Sequence, residues 1–229
     1  EEVYMNASME SILNGYEDPR RELYFNPCPS DVLLKKSDGS DSVVVRIKGE
    51  FHGIRQGTCF AHRLYASHSS IYTARFSDAV LMTAAEIWFL RAEAALRGWT
   101  AESAEACYRA GVTASFSQWG AVGADRYLES TRTGADFIDT YDVSNNIKAR
   151  CLVSPRWDDS ADKEIKLERI ITQKWLALFP EGCEAWAEQR RTGYPRLFPV
   201  KINNSKEGRI DTETMIRRLN FPVSLMDSD

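Results

Sequence analysis

The chain carries no excess of positive charge. Its 29 Lys and Arg stand against 33 Asp and Glu in 229 residues, a net charge of -4, so a sequence-blind grip on a phosphate backbone is not expected and nucleic acid is set aside as a partner. Long apolar runs are missing too. Glu86 and Arg91 interrupt even the best stretch, Leu81 to Leu96, whereas a membrane-spanning helix needs about 20 predominantly apolar residues. The opening EEVYMNASMES lacks the charged, apolar and cleavage regions of a signal peptide. Cysteines are few, scattered and odd in number, at positions 28, 59, 107, 151 and 183, which argues against a disulfide framework. Cys107 and Cys183 fall in helical patterns, where a thiol reads as a small buried hydrophobe. Phosphate-cradling, dinucleotide-binding, zinc-protease and hydrolase-elbow motifs are all absent, so the sequence reads as a non-enzyme without a cofactor.

What is present is helical periodicity. Residues 1 to 70 read as mostly irregular, with Pro19, Pro27, Pro29, the polar run KKSDGSDS and one β-branched run, VVVRI, that suggests a strand pair. From Ser77 the pattern changes. Leu81, Ala84, Ala85, Trp88, Ala92 and Ala95 recur at three- and four-residue steps, with Ser77 or Asp78 as the cap and Gly98 as the stop. After a connection of Gly98, Trp99 and Thr100, a second stripe of Ala101, Ala104, Tyr108, Val112, Phe116 and Trp119, with Thr100 as its cap, runs to Gly120. Two amphipathic helices joined so closely lie antiparallel, and their alanines permit close approach. A short helix in ADRYLES, a third strong helix from about Ala161 to Phe179 with Leu167, Ile171, Trp175 and Leu178 as its stripe, and a fourth in EGCEAWAEQRR complete the set. The fold class expected is all-α, built of tetratricopeptide-like hairpins with long irregular loops and a few short strands.

Three constellations could carry chemistry. His52, Cys59, His62 and His68 gather every histidine and one cysteine into seventeen residues, but the paired spacing of zinc sites is missing, and surface or loop histidines are the plainer reading. Cys59 with His62 could form a nucleophilic pair, yet no oxyanion hole or orienting group accompanies it. Six tryptophans and nine tyrosines offer a better lead, because a flat aromatic ring stacks on the C–H face of a sugar. Trp88, Trp119, Trp175 and Trp186 occupy helix positions that core packing explains. Trp157, in the polar stretch SPRWDDSAD, and Trp99, in a helix connection, are the tryptophans expected to face solvent. With Tyr127 they form the candidate ligand-binding set.

The stretch DAVLMTAAEIWFLRAEAALRGW followed by AESAEACYRAGVTASFSQWG resembles the SusD/RagB family of outer-membrane glycan-binding lipoproteins. ERIITQKWLALFPEGCEAWAEQRRTGYPRLFPV is similar to that family's C-terminal signature. Tyr16, Asp18, Pro19 and Arg20 match its tyrosine followed by Asp-Pro-Arg, and IRRLNFP matches near the end. The resemblance implies a non-catalytic cell-surface protein that captures oligosaccharide or polysaccharide and delivers it to a SusC-like TonB-dependent outer-membrane transporter. It further implies attachment to the outer membrane through an N-terminal lipid anchor that is not in this chain. Members are commonly about twice this length, so residues 1–229 are expected to form one incomplete domain, irregular over 1–70 and helical over 71–229, from the C-terminal part of a longer protein. The matched motifs read as structural, which leaves no ligand residue to carry over. Two rival readings stand beside this one. The first is a helical module that docks on the transporter with no sugar site of its own, and the second is a glycan-processing or metal-dependent enzyme using the histidine cluster.

Overall fold

The computed structural model describes residues 3–34, 43–57, 65–72, 80–205, 210–214 and 216–217. In chain order the elements are α1 (Ala7–Tyr16), α2 (Arg21–Tyr24), β1 (Val32–Leu34), β2 (Val43–Val45), α3 (Ala84–Arg97), α4 (Ala104–Trp119), α5 (Ala124–Leu128), a 3-10 turn at Val143–Asn145, α6 (Lys163–Ala177) and α7 (Gly182–Thr192). The described residues are thus mainly helical, as expected, with one strand pair. β1 and β2 are antiparallel, Val32 opposite Val45 and Leu34 opposite Val43.

Among the described residues of the first seventy, two helices form that the sequence reading does not expect. α1 starts at Asn6, whose side chain accepts from the Ser8 amide, and ends at Glu17 in the left-handed conformation. Eight of its ten residues are buried. Met9, Ile12, Leu13 and Tyr16 recur along it at three- and four-residue steps and are all buried, a helical stripe that the irregular composition of the surrounding segment obscures. Extended segments flank it through single bridges, Tyr4 with Ser70 and Asn6 with Ile54.

α3 and α4 form the expected hairpin, the most extensive helix contact in the fold, and α6 packs across both. The boundaries differ from the sequence expectation. Thr83 caps α3, its hydroxyl accepting from the Glu86 amide, a Thr-x-x-Glu start that replaces the expected cap at Ser77 or Asp78. Those two residues lie outside the described ones. Ser103, not Thr100, caps α4, so the connection spans 98–103. Gly98 and Gly120 close the two helices in the left-handed conformation, φ 79° and 68°, which glycine adopts without Cβ strain. The buried face of α3 is also rotated from the one expected. Ala85, Phe89 and Ala92 face the core, Trp88 is only partly buried against it, and Leu81 is 92% exposed. Cys107 is buried as expected, but Cys183 is exposed.

Close approach of α3 and α4 depends on Gly111 as well as on alanines. A Cβ there would meet the Phe89 ring at 2.8 Å, and Phe89 is fully buried. Overpacking of this kind costs about 1–3 kcal/mol. Gly111→Ala should therefore lower the urea unfolding free energy by that amount. Gly182→Ala, at a helix start with open space around it, should leave it unchanged or raised. Equal effects at the two sites would refute this packing.

Candidate functional site

The resemblance motifs converge on a buried polar cluster. Asp18 and Arg20 have fully buried side chains 2.5 Å apart. The guanidinium donates to both Asp18 carboxylate oxygens, to Ser115 Oγ on α4 at 2.9 Å, to Gln173 Oε1 on α6 at 3.1 Å and to the Tyr127 hydroxyl on α5 at 3.3 Å. Gln173 Nε2 in turn donates to that hydroxyl at 2.8 Å. The rings of Phe116 and Tyr127 lie 4.9 and 5.5 Å from the guanidinium carbon, within cation–π range. Burial opposes the charge on Arg20, but Asp18 overcomes it and holds the guanidinium firmly protonated. This cluster is a clamp, since each of its polar groups is spent on another.

A second chain of charges sets the position of α7. Lys174, 1% exposed, lies 3.1 Å from Glu188. Glu188 pairs with Arg191 at 2.7 Å, and Arg191 forks onto both oxygens of Glu93 at 2.7 and 2.6 Å. Arg97 completes the ladder at 2.8 Å from Glu93. Burial would raise the Glu93 carboxyl, but Arg191 and Arg97 outweigh it and hold the group below its ordinary range.

Of the three aromatic candidates, only Trp99 is exposed, at 74%. The expectation that Trp157 faces solvent is corrected. It is buried, its ring 5.3 Å from that of Tyr108, with Nε1 donating to Asp159 Oδ1 at 2.8 Å. The polar sequence around it folds over its ring. Tyr127 is buried too, its hydroxyl engaged in the Arg20 clamp. Within the histidine cluster, Cys59 and His62 lie outside the described residues. His52 sits between Glu10 and Glu50 at 3.4 Å from each, and His68 Nε2 is 2.9 Å from Thr140 Oγ1. Among the described residues no three potential ligands gather as a metal site would require, and no helix is long and apolar enough to cross a membrane.

The structure instead brings together two tryptophans that periodicity assigns to the core. α6 ends and α7 begins across Phe179, Pro180 and Glu181, so the two helix faces converge on a cleft of about 270 Å³. Trp175 and Phe179, four residues apart, line one wall. Trp186 and Gln189, three apart on α7, line the other, and Asn6, Met9, Gln56 and Leu197 close the remaining sides. Trp186 Nε1 donates to the Ile216 carbonyl at 2.8 Å, and the Arg190 guanidinium lies 4.5 Å from its ring centroid. Aromatic faces beside the amides of Asn6, Gln56 and Gln189 can stack on C–H surfaces and hydrogen-bond to hydroxyls. A helical stripe alone does not reveal this site. The usable signal is the break PEG between two tryptophan-bearing helices.

Two outcomes follow from the buried groups. Removing one partner of a buried pair strands the other, at about 3–5 kcal/mol, so Arg20→Met should lose that much in urea unfolding while the double change with Asp18→Leu recovers most of it. A double variant as unstable as the single would contradict the clamp. For His68, burial first and neighbouring His52 second push the imidazole down to about 4. An unfolded histidine titrates near 6.5, so as pH falls the unfolded chain takes up a proton that the folded chain refuses. The stability contributed above that pH is lost progressively toward pH 4. His68→Gln should flatten this decline, and identical pH profiles for the two proteins would remove His68 as its source.

The SusD-like family, described as Susd and RagB outer membrane lipoprotein, matches residues 1–229. A SusD homologue of Bacteroides vulgatus superposes with a TM-score of 0.82 at 47% identity, covering 95% of this chain and 43% of its own. A chitin-binding SusD homologue of Flavobacterium johnsoniae gives 0.82 at 42% identity, covering 95% and 42%. A SusD homologue of Bacteroides thetaiotaomicron gives 0.81 at 35%, covering 96% and 44%. This chain thus spans less than half the length of these relatives. No curated protein matches it. The chain belongs to the SusD-like family of outer membrane lipoproteins, and that membership assigns it to the outer membrane.

Proposed function

We propose that this chain is part of a larger, non-catalytic glycan-binding protein of the cell surface that captures oligosaccharide and passes it to a SusC-like TonB-dependent transporter. The observation that carries this reading is the 42% identity, over 95% of the chain, to a homologue described as chitin-binding. Supporting it, the cleft of Trp175, Phe179 and Trp186 offers apolar ring surface flanked by the amides of Asn6, Gln56 and Gln189 and by one carboxylate, Glu181, a lining that suits the C–H faces and hydroxyls of a sugar. Chitin itself is not assigned as the ligand.

We assign ring stacking in this reading to Trp186 and Trp175, with Trp99 at the hairpin tip as a separate accessible contact. Trp157 and Tyr127 enter only as buried supports. A rival function, docking on the transporter without a sugar site, is favoured by one feature. Leu81, Met82, Ile87 and Leu90 are all exposed along one run at the start of α3, and a protein partner would cover them.

Calorimetric titration with a panel of neutral oligosaccharides, chitooligosaccharides among them, separates the two. Saturable binding without turnover is expected, weakened at least about tenfold, or 1.4 kcal/mol, by Trp186→Ala, and unaffected by Ile87→Asp. If no oligosaccharide binds while the purified transporter does, and Ile87→Asp abolishes that complex, docking is the function.

A further inference from the structure

α7 carries a second recess beside the aromatic cleft. Ala187, Arg190, Arg191 and Arg217 line a depression of about 310 Å³, similar in size to the cleft. The two adjoin through one pair of side chains, because Trp186 lines the cleft while Arg190, stacked 4.5 Å from its ring centroid, lines the depression. The three arginines are not equivalent. Arg191 is neutralised by Glu93 and Glu188 in the ladder described above. Arg190 and Arg217 have no carboxylate partner among the described residues, which leaves two guanidinium groups without a described counter-charge at this end of α7. The one carboxylate lining the cleft, Glu181, lies at the other end of the helix, nine residues and so about 13 Å from Arg190 at 1.5 Å per residue.

Guanidinium forks suit the oxygens of carboxylates and oxyanions bidentately. Stacking on Trp186 meanwhile leaves the edge of Arg190, where its N–H groups point, free to donate. A sugar ring held against Trp186 would therefore carry its substituent toward these two cations. Resting on the glycan-binding reading above, we propose that the site takes an acidic oligosaccharide, the cleft holding the ring and Arg190 with Arg217 holding its carboxylate or sulfate.

The test compares oligogalacturonate, its methyl ester, which keeps the rings and removes the charge, a sulfated galactan oligosaccharide, and neutral chitooligosaccharide, each titrated into the protein at low and high salt. At low salt one of the two anionic oligomers should bind at least tenfold tighter than the neutral ones, whichever it is identifying the acid group. That advantage should shrink as salt screens the charges. Arg190→Gln/Arg217→Gln should abolish the advantage and leave neutral binding intact, whereas Trp186→Ala should weaken both. If neutral oligomers bind through Trp186 and the anionic ones gain nothing, or keep their gain in the double arginine variant, the acidic specificity is refuted and the cleft stands. If no oligomer binds at all, the cleft reading falls and takes this proposal with it.

Discussion

A guanidinium with no water around it is the constraint on which the rest of this fold rests. Taking Arg20 and Asp18 out of solvent costs several kcal/mol per ion unless geometry and further hydrogen bonds compensate, and the compensation comes from α4, α5 and α6 at once. The clamp can be satisfied only when all three helices are seated against the segment that follows α1. Their mutual arrangement is thereby specified, beyond what apolar packing alone would fix. The residues that carry the family resemblance, Asp18, Arg20 and Gln173, are thus explained by the scaffold they hold and not by contact with a ligand.

The ion ladder from Lys174 through Glu188, Arg191 and Glu93 to Arg97 extends the same logic outward. It fastens α7 to α3 and α6, which leaves successive positions of α7 with different duties. Glu188 turns inward to the ladder, Trp186 and Gln189 line the cleft, and Arg190 flanks Trp186 toward the open depression. In the proposed reading, a binding surface mounted on a helix with its own buried anchors loses little freedom on binding, which is the advantage of preorganisation. This division also explains how one short helix can be both a family signature and the wall of a cleft.

Legibility in the sequence followed burial geometry. α3, α4, α6 and α7 announce themselves by apolar residues at three- and four-residue spacing, although in α6 the whole run from Glu168 to Lys174 is buried. α1 has the same spacing at Met9, Ile12, Leu13 and Tyr16 but is short and set among prolines and polar runs, and its buried Ser11 and Glu10 are satisfied by the distant backbone of Ala135 and Gly53, which no local pattern shows. The same limit governed the aromatics. Trp157 has polar neighbours in sequence and Tyr108 as its neighbour in space. Trp186 has a helical position in sequence and an open cleft beside it.

The sequence by itself determined the helical hairpins, their glycine stops and the family, because these depend on spacing within a few residues or on blocks read in order. Only the tertiary structure decided which rings are accessible, which arginines lack a carboxylate partner among the described residues and where α7 sits. Those properties arise from contacts such as Arg20 with Gln173, 153 residues apart. Solvent exposure is a property of the surface left after folding, and no local pattern encodes it.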